Sequence, residues 1–166
     1  MKLKILGAFA AVALLAACAN KPATTGMANG AGASATTAGP APGSEQDLVA
    51  NVGDRVFYAF NRSGLNASDK ATLDRQAAWL AKYPQVQVLI AGNCDDRGTE
   101  EYNLALGHRR ANAAREYLVA KGVSPARIKT ISYGKGRPVA LGDNEQAWAQ
   151  NRNAITSVQG FNPQAH

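Results

Sequence analysis

No aspartate or glutamate precedes Glu45, although the chain carries 12 acidic residues, and Lys2, Lys4 and Lys21 are the only charges in that front stretch. An uncharged front and a charged, patterned back are two physical regimes in one chain. Histidine is scarce, with His108 and His166 only, and His166 sits near the end. A metal site needs several ligands converging in space. Asp95, Asp96, Glu100 and Glu101 have only His108 nearby and no second histidine to complete a set. A nucleophile–base–orienter pattern is missing as well, which argues against an enzyme. Basic residues are interleaved with acidic ones, with no basic stripe carrying stacking aromatics, so nucleic acid is not an expected partner. Losing Lys2 and Lys4 from 18 basic residues would leave 16 against 12 acidic ones, a mild net +4.

The chain also lacks an apolar run long enough to span a bilayer. Ile5 to Ala17 is apolar for roughly 13 residues, where a spanning helix takes ~20. Behind Lys2 and Lys4, such a run reads as a secretory signal over residues 1–17. Leu15-Ala16-Ala17-Cys18 at its end resembles a lipobox, with small residues admitting the signal peptidase and the Cys18 thiol as acylation point. Bacterial lipoproteins, which this start resembles, carry three chains on that cysteine, and two or more anchor stably. Ala19 stands where an aspartate commonly retains such proteins in the inner membrane, so the expected location is the outer membrane, with the remaining chain in the periplasm. Cysteine is scarce too. With Cys18 acylated, Cys94 has no partner for a disulfide and reads as a small, semi-buried residue at a strand end.

Residues 18–44 are the lipidated cysteine followed by Ala, Gly, Thr, Ser and Pro without helical or strand period. Such composition cannot bury enough surface to offset ordering entropy, so it reads as a flexible tether. Its 26 residues after Cys18 have a random-coil span of about 30 Å, at ~5–6 Å × √n, and a limit of roughly 90 Å.

From residue 45 to 160 the pattern alternates strand and helix. Arg55 to Phe60 reads as a strand ending at the turn-like Asn61-Arg62-Ser63-Gly64. Asn66 or Ser68 caps a helix to about Lys82, with Leu73, Ala77 and Leu80 on one face, and Pro84 stops it. Gln85 to Ile90 alternates as a second strand, followed by a polar loop from Asn93 to Gly98. A long helix from about Thr99 to Lys121 carries Leu104, Ala111, Ala114 and Leu118 at helical spacing, and Gly122 ends it. Ser124-Pro125 starts a short turn, Ile128 to Tyr133 is a third strand, Glu145 to Gln150 a short helix and Ala154 to Val158 a fourth strand. The expectation is an α+β domain, β-α-β-α-β-(α)-β, with helices packed on one face of a mixed sheet. Residues 161–166 read as a tail.

Two segments stand out chemically: the loop Asn93-Cys94-Asp95-Asp96-Arg97-Gly98-Thr99, and Gly107-His108-Arg109-Arg110-Ala111-Asn112 on the long helix. A loop carboxylate beside a helical guanidinium can hold a zwitterion, with Asp95 accepting from an ammonium and Arg110 presenting its planar fork to a carboxylate. The plainer reading is that charged loops and arginine-rich faces are simply solvated.

Cys94 to Asn103, Ala105 to Asn112, Ile131-Ser132-Tyr133-Gly134-Lys135 and Trp148-Ala149-Gln150-Asn151-Arg152 closely resemble the OmpA-like family, in particular its peptidoglycan-associated lipoproteins. The resemblance covers about two thirds of the chain, and the lipobox and tether agree with it. It implies a non-enzymatic protein without cofactor that binds peptidoglycan and links the outer membrane to the cell wall within the Tol–Pal system, supporting envelope integrity and cell division. By the same resemblance, Asp95 and Arg110 meet the zwitterion of diaminopimelate in the stem peptide. Leu106 either walls the ligand's aliphatic chain or simply packs the helix. Asn61 contributes through its backbone, and Arg97 charges the rim or supports Asp95. A TolB-like periplasmic protein is the implied protein partner. An alternative is a module that mainly binds this partner, with weakened peptidoglycan binding. The sequence departs from the family pattern at Ala59 and Asn61, where aspartates are usual. It also departs at Asn93, where a histidine is usual, at Asp96, commonly glutamate, and at Asn153, commonly arginine.

Overall fold

The computed structural model describes residues 39–160. The expected signal segment, Cys18, most of the tether and the tail lie outside the described residues.

A four-stranded mixed sheet in the order β1-β4-β2-β3 organises these residues. The central strand β2 (Gln87–Asn93) pairs antiparallel with β4 (Asn153–Gln159) and parallel with β3 (Ile128–Gly134), while β1 (Arg55–Phe57) lies antiparallel on the outer side of β4. A parallel pair needs a crossover, and the 21-residue helix α3 (Glu100–Ala120) supplies it between β2 and β3. Val88 and Ile90 are fully buried, whereas Gln87 is exposed and Leu89 half-buried. The alternation turns one sheet face toward Leu73 and Leu80 of α2 (Ala67–Lys82) and Ala111, Ala114 and Leu118 of α3, which share its core. A short helix, α4 (Glu145–Asn151), leads into β4. This is the expected α+β class, with both long helices on the core side of a mixed sheet.

Local chemistry fixes the boundaries. Asn66, not Ser68, caps α2: its side chain accepts from Asp69 N–H, and Asp69 returns a bond from Asn66 N–H. The other Asp69 oxygen takes Phe57 N–H at 3.0 Å, tying β1 to the helix start. Thr99 caps α3, and Gly122 beyond its end has φ +95°, a conformation that favours glycine.

Three expectations need correcting. The first strand stops at Phe57 instead of Phe60, because the following carbonyls turn to guanidinium groups rather than a ladder: Tyr58 O accepts from Arg152, and Ala59 O and Arg62 O from Arg110. The second strand starts at Gln87, since Val86 N–H closes a turn onto Tyr83 O, and it runs on through Asn93, where a loop was expected. Leu104 does not join the apolar face of α3; it is 38% exposed. The buried stripe runs through Asn103, Leu106, Gly107, Arg110, Ala111, Ala114 and Leu118, and one residue beyond Asn103 is about 100° around the helix.

The sequence also gave no warning of how the described chain begins. Gly43 and Ser44, assigned to the tether, are buried, and Ser44 caps a helical turn, α1 (Glu45–Asp47), that continues as a π-helical turn over Leu48–Val52. Asp47 accepts from Trp79 Nε1 at 2.8 Å, from Gly43 N–H at 2.9 Å and from Asn51 Nδ2 at 2.8 Å. Leu48 enters the core beneath it.

The seat of α3 depends on two glycines. A Cβ on Gly92 would lie 1.9 Å from the Gly107 carbonyl oxygen, and one on Gly107 would lie 2.1 Å from Ser132 Oγ. Helix and sheet therefore meet backbone to backbone here. That close approach carries Leu106 and Arg110, on either side of Gly107, against the end of β2.

Candidate functional site

At the C-terminal end of β2, three segments converge: the stretch after β1, the loop from Cys94 to Thr99, and the first turns of α3. They enclose a cavity of about 150 Å³. Small-molecule pockets run ~300–1,000 Å³, so this one suits a group the size of an amino-acid end rather than a whole cofactor. All five residues singled out in the sequence, Asn61, Asp95, Arg97, Leu106 and Arg110, line it. Residues distributed over 50 positions of chain thus meet in one concavity.

Asp95 is 4% exposed. Its Oδ2 accepts from Arg97 Nη2 at 2.6 Å and from Arg152 Nη1 at 3.3 Å. Burial pushes the carboxyl up, but the hydrogen bonds from Arg97 and then Arg152 outweigh it and leave the group below its ordinary value, hence ionised at neutral pH. Neither guanidinium bond falls on Oδ1. Arg97 therefore supports Asp95 directly, and it also sits between two rings, its guanidinium carbon 4.0 Å from the Phe60 centroid and 4.1 Å from that of Trp148.

Arg110 is only 1% exposed, although arginine is rarely buried without partners. It donates from Nε to Arg62 O at 2.9 Å, from Nη1 to Asn93 O at 2.8 Å and from Nη2 to Ala59 O at 3.2 Å. Its guanidinium carbon lies 5.2 Å from the Tyr58 ring centroid, and the Tyr58 hydroxyl donates back to the Arg110 carbonyl. Burial lowers the Arg110 pKa and raises that of Tyr58, so the pair is a cation beside a neutral phenol. Three of five N–H donors are spent on backbone, leaving one on each terminal nitrogen. Arg110 is thus a structural tie, a role that the sequence reading did not contain. Arg109, one position earlier, is exposed.

Leu106 is 4% exposed and gives the cavity an apolar wall. Asn61 adopts φ +55°, the left-handed region that asparagine tolerates better than most residues, and its side-chain oxygen accepts from the Tyr102 hydroxyl. Asn103 holds the opposite wall by donating to Arg97 O and Thr99 O. The Cys94 thiol is buried, pushed up mainly by that burial, and contacts Asn103 O at 3.4 Å.

Phe60, Tyr102, Trp148, Glu145 and Arg152 were not singled out as site residues. Arg152 is the most consequential, because it bonds Asp95, Glu145 and the Tyr58 carbonyl together. It stood inside a quoted motif, but its target lies 57 residues away, and no local pattern links the two. Among the described residues no group of three or more His, Cys, Asp and Glu is arranged to hold a metal ion, and no helix is long and apolar enough to cross a membrane.

A mixed sheet with two long helices on its core side, and a small charged cleft where the central strand meets the second of them, defines a class of α+β binding domain. The particular family follows from comparison with known proteins: residues 57–153 match the model of the OmpA family, and the chain belongs to it. The chain is 48% identical over 160 residues to the peptidoglycan-associated lipoprotein of Mesorhizobium japonicum, covering 94% of this chain and 92% of that one. It is 52% identical over 146 residues to the protein of the same description from Rhizobium meliloti, covering 88% and 82%. The crystal structure of the peptidoglycan-associated lipoprotein from Burkholderia pseudomallei matches with a TM-score of 0.62 at 44% identity, over 64% of this chain and 90% of that one. The C-terminal domain of Helicobacter pylori MotB, also at a TM-score of 0.62 but 21% identical, shares the fold.

Proposed function

We propose that this chain is an envelope lipoprotein whose OmpA domain binds peptidoglycan non-covalently, taking the diaminopimelate of the stem peptide into the cavity between Asp95 and Arg110. One observation carries the reading: a cavity of about 150 Å³ gathers a buried ionised carboxylate, a buried guanidinium with donors to spare and an apolar wall at Leu106. An ammonium, a carboxylate and a short aliphatic chain complement those three features. The names of the relatives support the same polymer.

The site is a binding site, not a catalytic one. Asp95 is held ionised by two guanidinium groups, which makes it a poor base, and the Cys94 thiol is shifted away from its nucleophilic form.

The chain order proposed is a signal over 1–17, a lipid on Cys18 with a tether to about residue 42, the domain over 43–160 and a tail over 161–166, with the lipid in the outer membrane and the domain in the periplasm. Geometry supports a bridging role. Glu45 accepts from Val158 N–H at 2.5 Å, near the pairing of Gln87 with Gln159, whereas Asn93 at the other end of β2 accepts from Arg110, which lines the cavity. Seven residues at ~3.3 Å each separate the tether's entry from the site by about 20 Å. The start of the domain and the cavity therefore lie toward opposite ends of β2.

The same mouth suits a TolB-like periplasmic partner in the Tol–Pal system. Phe60 at 55% and Tyr102 at 43% exposure border the cavity, an apolar rim that a protein could cover. The test is retention of the purified full-length chain on isolated sacculi with and without free diaminopimelate. Release by diaminopimelate is expected, and retention unaffected by a large excess would overturn the proposed ligand.

A further inference from the structure

Asp95, Arg97, Glu145 and Arg152 close a ring of alternating charge. Asp95 Oδ2 is 2.6 Å from Arg97 Nη2, which is 3.8 Å from Glu145 Oε2; Glu145 Oε1 is 2.5 Å from Arg152 Nη2, and Arg152 Nη1 is 3.3 Å from Asp95 Oδ2. Trp148, one turn beyond Glu145 on α4, stacks on Arg97 and keeps the ring in place. Asp95 alone would face two guanidinium groups, with the Arg110 cation also against the cavity. That grouping carries a net positive charge, a poor setting for accepting a further cation. Glu145 is what returns the ring to neutrality. It lies outside the cavity lining and touches Asp95 only through the two arginines.

We infer that Glu145 is a positioning residue that sets the charge preference of the site: by balancing Arg97 and Arg152 it holds them on Asp95 Oδ2 and lets the remaining face of that carboxylate receive an ammonium. The inference rests on the zwitterion reading above. It differs from a purely structural role because it concerns one end of the ligand only. Removing the negative charge should penalise a ligand bearing an ammonium and spare, or favour, one bearing only carboxylates.

Glu145→Gln is the appropriate variant, since the amide oxygen can still accept from Arg152 while the charge is gone. Glu145 is 64% exposed, so the fold should tolerate it and solvent should moderate the effect. Titration of full-length wild type and variant in detergent with meso-diaminopimelate and with pimelate, which lacks both amino groups, reads the preference directly. The Kd for meso-diaminopimelate should rise about two- to fivefold in the variant, and the change should shrink as salt is raised. The Kd for pimelate should stay the same or fall, and Glu145→Asp should recover part of the loss. Equal weakening of both ligands, or no change in either, would overturn the inference. Failure of wild type to bind meso-diaminopimelate at all would instead remove the site reading on which it rests.

Discussion

The side-chain amide of Asn93 donates to the side-chain oxygen of Asn153 across 2.8 Å in the buried floor between β2 and β4. These are two of the positions at which the sequence departs from the family pattern, where histidine and arginine are usual. In the structure the two form one neutral amide pair. Asn153 also donates to Gln150 O at 2.7 Å, linking the pair to the end of α4. Both residues are nearly inaccessible, so the amide left behind by a single deletion cannot turn to water.

The pair should therefore behave as a unit. Asn93→Ala and Asn153→Ala should each lower stability by ~1–3 kcal/mol, the cost of orphaning a buried polar group. The double variant should cost clearly less than the sum, because it removes both partners at once. Urea melts of the four proteins measure this, and strict additivity would show that the contact is not coupled.

The contact of α3 with the sheet gives a second expectation. A methyl group at Gly92 would overlap the Gly107 carbonyl, which is backbone and cannot rotate away. Gly92→Ala should cost at least the ~1–3 kcal/mol typical of overpacking, and because the helix must shift it should weaken sacculus binding too. Gly64→Ala meets nothing within 4 Å and serves as the control, with a melting temperature near wild type. Similar melting temperatures for the two would show that helix and sheet part easily.

How far the site was legible in the sequence follows from the range of its contacts. Capping and periodicity are local, so α2, α3 and all four strands were readable within a few residues. Asp95 and Arg110 stood out as a charged loop followed by an arginine-bearing helix, a pattern that a solvated surface explains equally well, and the family resemblance chose between the two readings. What escaped depends on distant partners: Arg152 on Asp95, Asp47 beneath Trp79 at 32 residues' distance, and the carbonyls of Ala59 and Arg62 on Arg110. At Ala59 the tie to the site runs through the backbone and not the side chain. That residue is exposed, and its backbone carbonyl makes the tie to Arg110.

Asp47 and Asp95 supply a pH dependence. Both carboxyls lie below the ordinary aspartate value in the folded chain, Asp47 through hydrogen bonds from Asn51, Trp79 and Gly43, and Asp95 through its guanidinium partners against an opposing effect of burial. A depressed folded pKa contributes stability that is fully present above the unfolded value and is lost as the pH falls through the folded one. Asp47→Asn should therefore be less stable than wild type at neutral pH, with the gap closing below about pH 4. A gap that stayed constant from pH 7 to pH 3 would show that the hydrogen bonds, not the ionisation, carry the effect.

Anchoring has its own test. If Cys18 is the acylation point, Cys18→Ser should abolish labelling by a fatty-acid analogue and leave an unprocessed or mis-sorted precursor. Equal labelling of wild type and variant would place the lipid elsewhere or nowhere.

The decisive variants of the site are those that leave the fold alone. Arg110→Ala is a poor choice, since it removes three bonds to backbone carbonyls along with any ligand contact and should lower the melting temperature as well as binding. Asp95→Asn keeps the shape and an acceptor for Arg97 while removing the charge. A charge-assisted hydrogen bond contributes ~1.5–3 kcal/mol, and 1.4 kcal/mol is tenfold, so sacculus binding should weaken by about tenfold or more. Asp95→Asn also leaves Arg97 and Arg152 facing an uncharged group, so some thermal destabilisation is expected and must be measured alongside. Arg110→Lys should recover the charge but not the planar fork, restoring neither all three carbonyl bonds nor full affinity. Arg109→Ala, exposed and about 100° around the helix, should leave both readings close to wild type. If folded Asp95→Asn held sacculi as tightly as wild type while Arg109→Ala did not, the binding surface would be the outer face of α3 and the cavity would have no part in it.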